Sequence, residues 1–336
     1  MSSAEPIDAQ SLPRVAEGAE FVPMEELRGA AHIVVDGVPL PGTVLSLSHR
    51  PGSGTPAGLR ADTSALIVDR YLDVPAGGEE IGAVTNDHYD EDGLFGIWLL
   101  LERPAPGSPE RALAIAAGEA GDFSTWTDPW AARVAIAAMA MAERHMTPFP
   151  EVGRILARAG GRDPAGLLYR AILPRTGSLL ADPERYRFLW RGQWARIEAD
   201  IALLDAGEAV IEEEERADLA ILRAPRPLHP MAVYPRTLRT RVLTVTPDGT
   251  LALAHRYETW VEYASRELAP RVDLTPLAES LQRRETKPGR WVFEGVEVIM
   301  PRLYLTGRLG SAPGPAPSSI AAEQLVDDLV AFLERA

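Results

Sequence analysis

Residues 81–103 read IGAVTNDHYDEDGLFGIWLLLER, and how they fold decides the class of the protein. A β-branched run, IGAVTN, reads as a strand, DHYDEDG as a loop, and LFGIWLLLER as the start of a helix. Upstream, HIVVDGVPL and TVLSLSH read as two more strands, separated by Gly and Pro. RADTSALIVDRYL has helical spacing, with Asp62 or Thr63 placed to cap it. Strands alternating with helices predict an α/β lobe with a parallel or mixed sheet.

Further along, residues 108–216 read as helical. SPERALAIAAGEAG carries Pro in its first turn, and DPWAARVAIAAMAMAERH is apolar nearly all round, as a buried helix is. A long helix is expected over 183–215, where Trp190, Trp194, Ile197, Ile201 and Leu204 recur at alternating spacings of four and three. A smaller α+β lobe follows. ADLAILRAP opens it, and RVLTVTPDGTLALAHRYETWVEY reads as two strands joined around Asp248-Gly249. The second strand is expected to carry His255, Tyr257, Thr259 and Val261 on one face, with Arg256, Glu258 and Trp260 on the other. DLTPLAESLQRRE predicts a helix capped by Asp273, GRWVFEGV a strand, and GSAPGPAPSS a linker to an amphipathic terminal helix with a face open to a partner. The expected organisation is an irregular arm over 1–30, an α/β and helical domain over 31–216, an α+β lobe over 217–309, and a linker with terminal helix over 310–336.

Composition narrows the function. The chain has 336 residues, 46% hydrophobic and 24% charged, with a net charge of −14 and no cysteine. Any metal must therefore sit on oxygen and imidazole. The acidic balance argues against duplex nucleic acid, which needs a basic field along its footprint. The first residues lack a signal-peptide pattern and no run is long enough for a bilayer, so no membrane role is expected and the cytoplasm is the expected compartment. Oligomeric state is not legible.

Asp87, His88, Asp90, Glu91 and Asp92 crowd one loop. At ~4 Å a like-charge pair costs about 1 kcal/mol in water and about 4 in a partly screened site. Either solvent or a cation must absorb that repulsion. His88-x-Asp90-x-Asp92-Gly93 can turn alternate side chains the same way, and Gly93 is expected to permit a tight turn. An EF-hand calcium loop is excluded, because the twelfth position counted from His88 is Leu99.

TNDHYDEDGLFG resembles the first motif of the DHH phosphoesterase superfamily, an H/D-x-D-x-D-G signature between a strand and a helix. The resemblance implies that His88, Asp90 and Asp92 hold one or two Mn²⁺ or Mg²⁺ ions that activate water against phosphorus. VLSLSHRPGSGTPAGLRADTSALIVDRYL resembles the region after that family's Asp-His-His, with Ser48-His49 in place of the paired residues and in permuted order. This adds His49 as a ligand candidate, and Asp87 is another. The whole chain also resembles an uncharacterised bacterial family through LSLSHRPG, TNDHYDEDGL and RYETWVE.

ILRAPRPLHPMAVYPRTLRTRV is the one basic stretch. Arg226, His229 and Arg236 are its candidates for binding a substrate phosphate, against the reading of arginines that guard a strand edge. In GDFSTWTDPW, which holds Asp122 and Asp128, Asp128 is expected to cap the following helix, with metal ligation as its lesser alternative, and His145 is expected to lie at a helix end or on the surface. The expected function is a metal-dependent hydrolase of a phosphoester or related phosphate compound, acting on a small phosphorylated substrate. The alternative is a non-catalytic binding or interaction protein with a degenerate metal site.

Overall fold

The structure, a computed structural model, describes residues 9–160, 163–309 and 312–335. The chain divides into two compact units. One runs to Ala195 and takes in Val261–Arg266; the other comprises Arg196–Trp260 and Glu267 onward. Apart from Val261–Arg266, the expected lobe over 217–309 lies in the second unit, as does the described part of the terminal segment. That unit also takes the end of the long helix.

In the first unit, strands β1 (Arg14–Phe21), β2 (His32–Val35), β3 (Thr43–Leu47) and β4 (Glu80–Thr85) form a parallel sheet in the order β1-β4-β2-β3. The helices are α1 (Ser64–Leu72), α2 (Glu91–Glu102), α3 (Pro109–Phe123), α4 (Pro129–Ala142), α5 (Pro150–Arg158), α6 (Ala165–Ala181) and α7 (Arg187–Asp205), the last running on into the second unit. Sheet and helices give the mixed α/β class expected. β2 is buried along its whole length, which suits a strand covered on both faces. In α2, Leu94, Phe95, Ile97, Leu99 and Leu100 are wholly buried. Each such side chain contributes roughly 1.5–3 kcal/mol relative to exposure, so the loop before α2 is anchored firmly. α4 is buried on nearly every side, and Asp128 caps it by accepting the N–H of Trp130.

The second unit holds β5 (Val210–Glu214), β6 (Leu219–Arg223), α8 (Pro230–Val233), β7 (Arg241–Val245), β8 (Leu251–His255), α9 (Thr275–Arg284), β9 (Arg290–Phe293), β10 (Arg302–Leu309), β11 (Ala312–Pro315) and α10 (Ala322–Leu333). Its mixed sheet runs β11-β10-β8-β7-β6-β5, with β9 paired to β10. β7 and β8 are the hairpin around Asp248-Gly249. Leu277 and Leu281 of α9 and Leu325 and Leu329 of α10 share one core with Leu253 and Leu303 of the sheet.

Several sequence expectations are corrected. Of the expected irregular arm, residues 1–8 lie outside the described residues, but Arg14–Phe21 is a strand. Its pairing with β4 shifts register between Val15 and Glu20, around Gly18 at φ 76°, and that bulge breaks the alternation that marks a strand. The helix expected over 183–215 begins as a 3-10 turn at Pro183–Tyr186 and ends at Asp205. Gly207 at φ 72° turns the chain, and Val210–Glu214 becomes the edge strand β5, where a run of glutamates guards the open edge. The alternation expected through RYETWVEY stops at His255, because Tyr257–Thr259 is a 3-10 turn; there Arg256 and Glu258 form a buried ion pair 2.5 Å apart. Gly310 and Ser311 of the expected linker lie outside the described residues, and Ala312–Pro315 is β11, an edge strand that tolerates proline. The apolar face of α10 is packed into the core and is not open to a partner. Among the described residues no helix is long and apolar enough to cross a membrane.

One carboxylate ties the second unit together. Glu285, just past α9, accepts hydrogen bonds from the backbone N–H groups of Thr286 (3.0 Å), Lys287 (2.8 Å) and Ser319 (2.9 Å). It also accepts from the hydroxyls of Ser318 (2.5 Å) and Ser319 (2.6 Å) and from the Trp291 indole (3.1 Å). Burial raises its pKa, but the Ser318 and Ser319 hydrogen bonds outweigh that and bring it down to about 2. A carboxyl depressed in the folded state contributes stability above its unfolded value, near 4.3, and loses it as pH falls through the folded value. Thermal melts of wild type and Glu285→Gln should therefore differ most at pH 5–7 and converge between pH 4 and pH 2. A constant difference across that range would show that Glu285 acts by shape alone.

Candidate metal centre

Three adjacent strands deliver side chains to one place. Asp36 follows β2, His49 follows β3, and Asp87-His88 follow β4. The ends of neighbouring parallel strands are where α/β folds form ligand crevices. Asp36 takes a left-handed backbone (φ 56°), which Asp tolerates better than most residues, and its buried carboxylate accepts from the Ser64 hydroxyl at 2.7 Å. α2 contributes Asp90 at its N-cap and Asp92 in its first turn. α3 contributes Asp122, and it comes close because Gly118 faces Asp92: a Cβ at Gly118 would lie 2.8 Å from Asp92 Oδ1.

His49 donates from Nδ1 to the Asp62 carbonyl at 2.5 Å. Its Nε2 is thereby aimed at three acids: Asp122 Oδ2 at 3.3 Å, Asp36 Oδ1 at 3.4 Å and Asp92 Oδ2 at 3.8 Å. His88 gives Nδ1 to Asp87 Oδ1 (2.8 Å) and turns Nε2 to Asp90 Oδ2 (2.6 Å) and Asp36 Oδ2 (3.2 Å). Two sets of potential ligand atoms result, Asp36–His49–Asp92 and Asp36–His88–Asp90, and they share Asp36. Donors held about 2.1 Å from an ion lie roughly 3.0–3.4 Å from one another. Asp122 and Asp36 stand at that spacing from His49 Nε2, with Asp92 somewhat beyond it, and Asp122 Oδ2 is buried with no hydrogen-bond partner among the described residues.

The charges need such compensation. Burial, then the Asp36 charge, raises Asp92 to about 7; burial, then Asp90, raises Glu91 to about 8. Burial and the charges of Asp92, Asp90, Asp36 and Glu91 push Asp122 well above the carboxylate range. Asp90 is raised by burial and by Asp36. Burial would raise Asp36 too, but His49 and His88 hold it far below the usual range. Burial would lower both histidines; Asp36 and Asp92 bring His49 up to about 9, and Asp90, Asp36 and Asp87 raise His88 further. Without a cation, burial and mutual repulsion would favour extra protons on these acids and imidazoles. A divalent ion would take their place.

The predicted candidates are distributed as follows. His49, His88, Asp90 and Asp92 meet around Asp36. Asp87 stands behind His88, between its Nδ1 and the guanidinium of Arg50, which lies 3.0 Å from Asp87. This is the position of a carboxylate that orients a ligating imidazole. Gly93 is not at positive φ, so it serves no tight turn. It lets the first turn of α2 press against Asn86 and Tyr169. Asp128 is a helix cap, and His145 is exposed. Arg226 pairs with Asp200 (2.6 Å) and Arg236 with Asp205 (2.5 Å), and His229 caps α8 through Nδ1; all lie in the second unit.

Sequence reading missed both Asp36 and Asp122 as ligand candidates. Asp36 had a local signal, an Asp-Gly directly after a buried strand. Asp122, late in a helix, had none. No curated protein and no solved structure matches the chain. A model of one family, described as a family of unknown function (DUF6687), matches residues 17–336, and the chain belongs to that family.

Proposed function

We propose that this protein is a metal-dependent hydrolase of a phosphoester or related phosphate compound. The observation that carries the reading is Asp36, whose Oδ1 faces His49 and whose Oδ2 faces His88. A carboxylate shared between two ligand sets suits a pair of divalent ions. The all nitrogen and oxygen donors suit Mn²⁺ or Mg²⁺. The H-x-D-x-D-G spacing shared with DHH phosphoesterases supports phosphorus as the target. When bound, the ions lower the pKa of a water and offset charge on phosphoryl oxygens. The protein's own part is positioning: Asp87 fixes the His88 ring, and Arg50, partly exposed beside Asp87, presents a guanidinium to a substrate phosphate. A small phosphorylated substrate in the cytoplasm belongs to the same proposal.

A second reading, a non-catalytic protein whose acids are structural, is favoured by three hydrogen bonds. Asp90 accepts the N–H of Gly93, and Asp92 accepts those of Ser64 and Ala65 at the start of α1. Mn²⁺ titration separates the two. The hydrolase reading expects about two ions retained per chain, a melting temperature raised by Mn²⁺ and reversed by chelator, and turnover of aryl phosphodiesters. Melting indifferent to both Mn²⁺ and chelator, with no metal retained, would leave the structural reading standing.

A further inference from the structure

Among the described residues beyond Ala195, only Val261–Arg266 belong to the first unit, and they gather around one candidate ligand. The N–H of Glu262 donates to the His49 carbonyl at 2.7 Å. The Glu262 carboxylate accepts the N–H of Gly52 at 3.0 Å, in the loop that follows His49. Tyr263 meets Phe123 edge-on, ring centroids 5.5 Å apart, and Phe123 in turn lies 6.1 Å from the His49 ring. The N–H groups of Ala264 and Ser265 both donate to Asp62 Oδ1, at 2.8 and 2.7 Å. Asp62 is also the residue whose carbonyl takes the His49 Nδ1 proton.

We infer that Asp62 is a positioning residue for His49, and that the strap 261–266 is the brace that holds it. Two bonds from the strap fix the Asp62 side chain on one side, while the same residue's carbonyl fixes the imidazole on the other. A carbonyl can only accept, so it keeps the proton on Nδ1 and leaves Nε2 toward Asp36, Asp92 and Asp122. Outer partners of this kind set both the tautomer and the direction of a ligating imidazole. His49 also takes a bond on its own carbonyl from the strap, so ring and backbone are held by one short segment. The inference rests on His49 being a metal ligand.

The test uses the full chain labelled with ¹⁵N-histidine, with Asp62→Ala and Asp62→Asn. Asparagine keeps the oxygen that accepts from Ala264 and Ser265; alanine does not. In the metal-free protein above pH 9, where the imidazole is neutral, the His49 ring nitrogens should report a single Nδ1-protonated form in wild type and Asp62→Asn. Asp62→Ala should shift them toward tautomer exchange. Mn²⁺ affinity by calorimetry should fall about 10- to 100-fold in Asp62→Ala and stay within a few-fold in Asp62→Asn. Ring nitrogens unchanged in Asp62→Ala, or Mn²⁺ affinity unchanged, overturns the inference. If wild type binds no Mn²⁺ while the ring nitrogens still respond, the hydrolase reading fails and the positioning role stands. Should Asp62→Ala not fold, Glu262→Pro, which deletes the N–H given to His49, carries the same expectations.

Discussion

Asp36→Asn should abolish the Mn²⁺ response. At a hundredfold excess over Kd, a ligand that binds only the native state stabilises it by about 2.7 kcal/mol. For a unit of this size that is a rise of about 5–10 °C in melting temperature. Asp36 serves both ligand sets, so its loss weakens two ions at once, and affinity should drop more than about 100-fold. Asparagine tolerates the left-handed backbone at this position and can still accept from Ser64, so the metal-free variant should stay folded. Asp87→Asn is the graded comparison. Asp87 touches His88 rather than facing the shared centre, and its loss should cost about 10- to 100-fold. Equal effects from the two substitutions would contradict the shared role of Asp36. A full Mn²⁺ response in Asp36→Asn would remove the metal centre altogether.

Gly93→Ala should destabilise the first unit and its acidic loop together. A Cβ there falls inside contact distance of Asn86 Nδ2 and Tyr169 Oη, which are buried and bonded to each other at 2.9 Å. Overpacking of this kind costs about 1–3 kcal/mol, or roughly 2–10 °C of melting temperature. The damage should reach the centre as well. Asn86 Oδ1 accepts the N–H of Asp87 at 2.6 Å, so displacing Asn86 moves the start of the acidic loop and weakens Mn²⁺ binding. Gly82→Ala is the control, since its Cβ meets nothing within 4 Å. If both variants melt alike, close packing at Gly93 is not what holds the loop.

The elements legible in the sequence were those with one dominant period. α4 reads as buried because nearly every position is apolar, and β7–β8 read as a hairpin because Asp248-Gly249 interrupts two alternating runs. β1, β5 and β11 were hidden, each by a feature that serves its edge position: a bulge at Gly18, a run of glutamates, and prolines. The site divides along a similar line. His88, Asp90 and Asp92 are neighbours in sequence, so their spacing announced them, and His49 stood at a strand end. Asp36 and Asp122 reach the cluster only through pairing of β2 with β4 and packing of α3 beside α2. Sequence distance conceals such partners. Asp62 is hidden further still, since its side chain answers to residues 264 and 265.

The chain passes between the two units three times, at 195/196, 260/261 and 266/267. A single recombination breakpoint therefore cannot trade either unit intact for a homologue's. Any join placed between 196 and 260 pairs one parent's helical half with the other parent's six-residue insert. Hybrids within the family should accordingly survive when that hexapeptide is inherited together with its amino-terminal hosts, and lose solubility or expression when it is not.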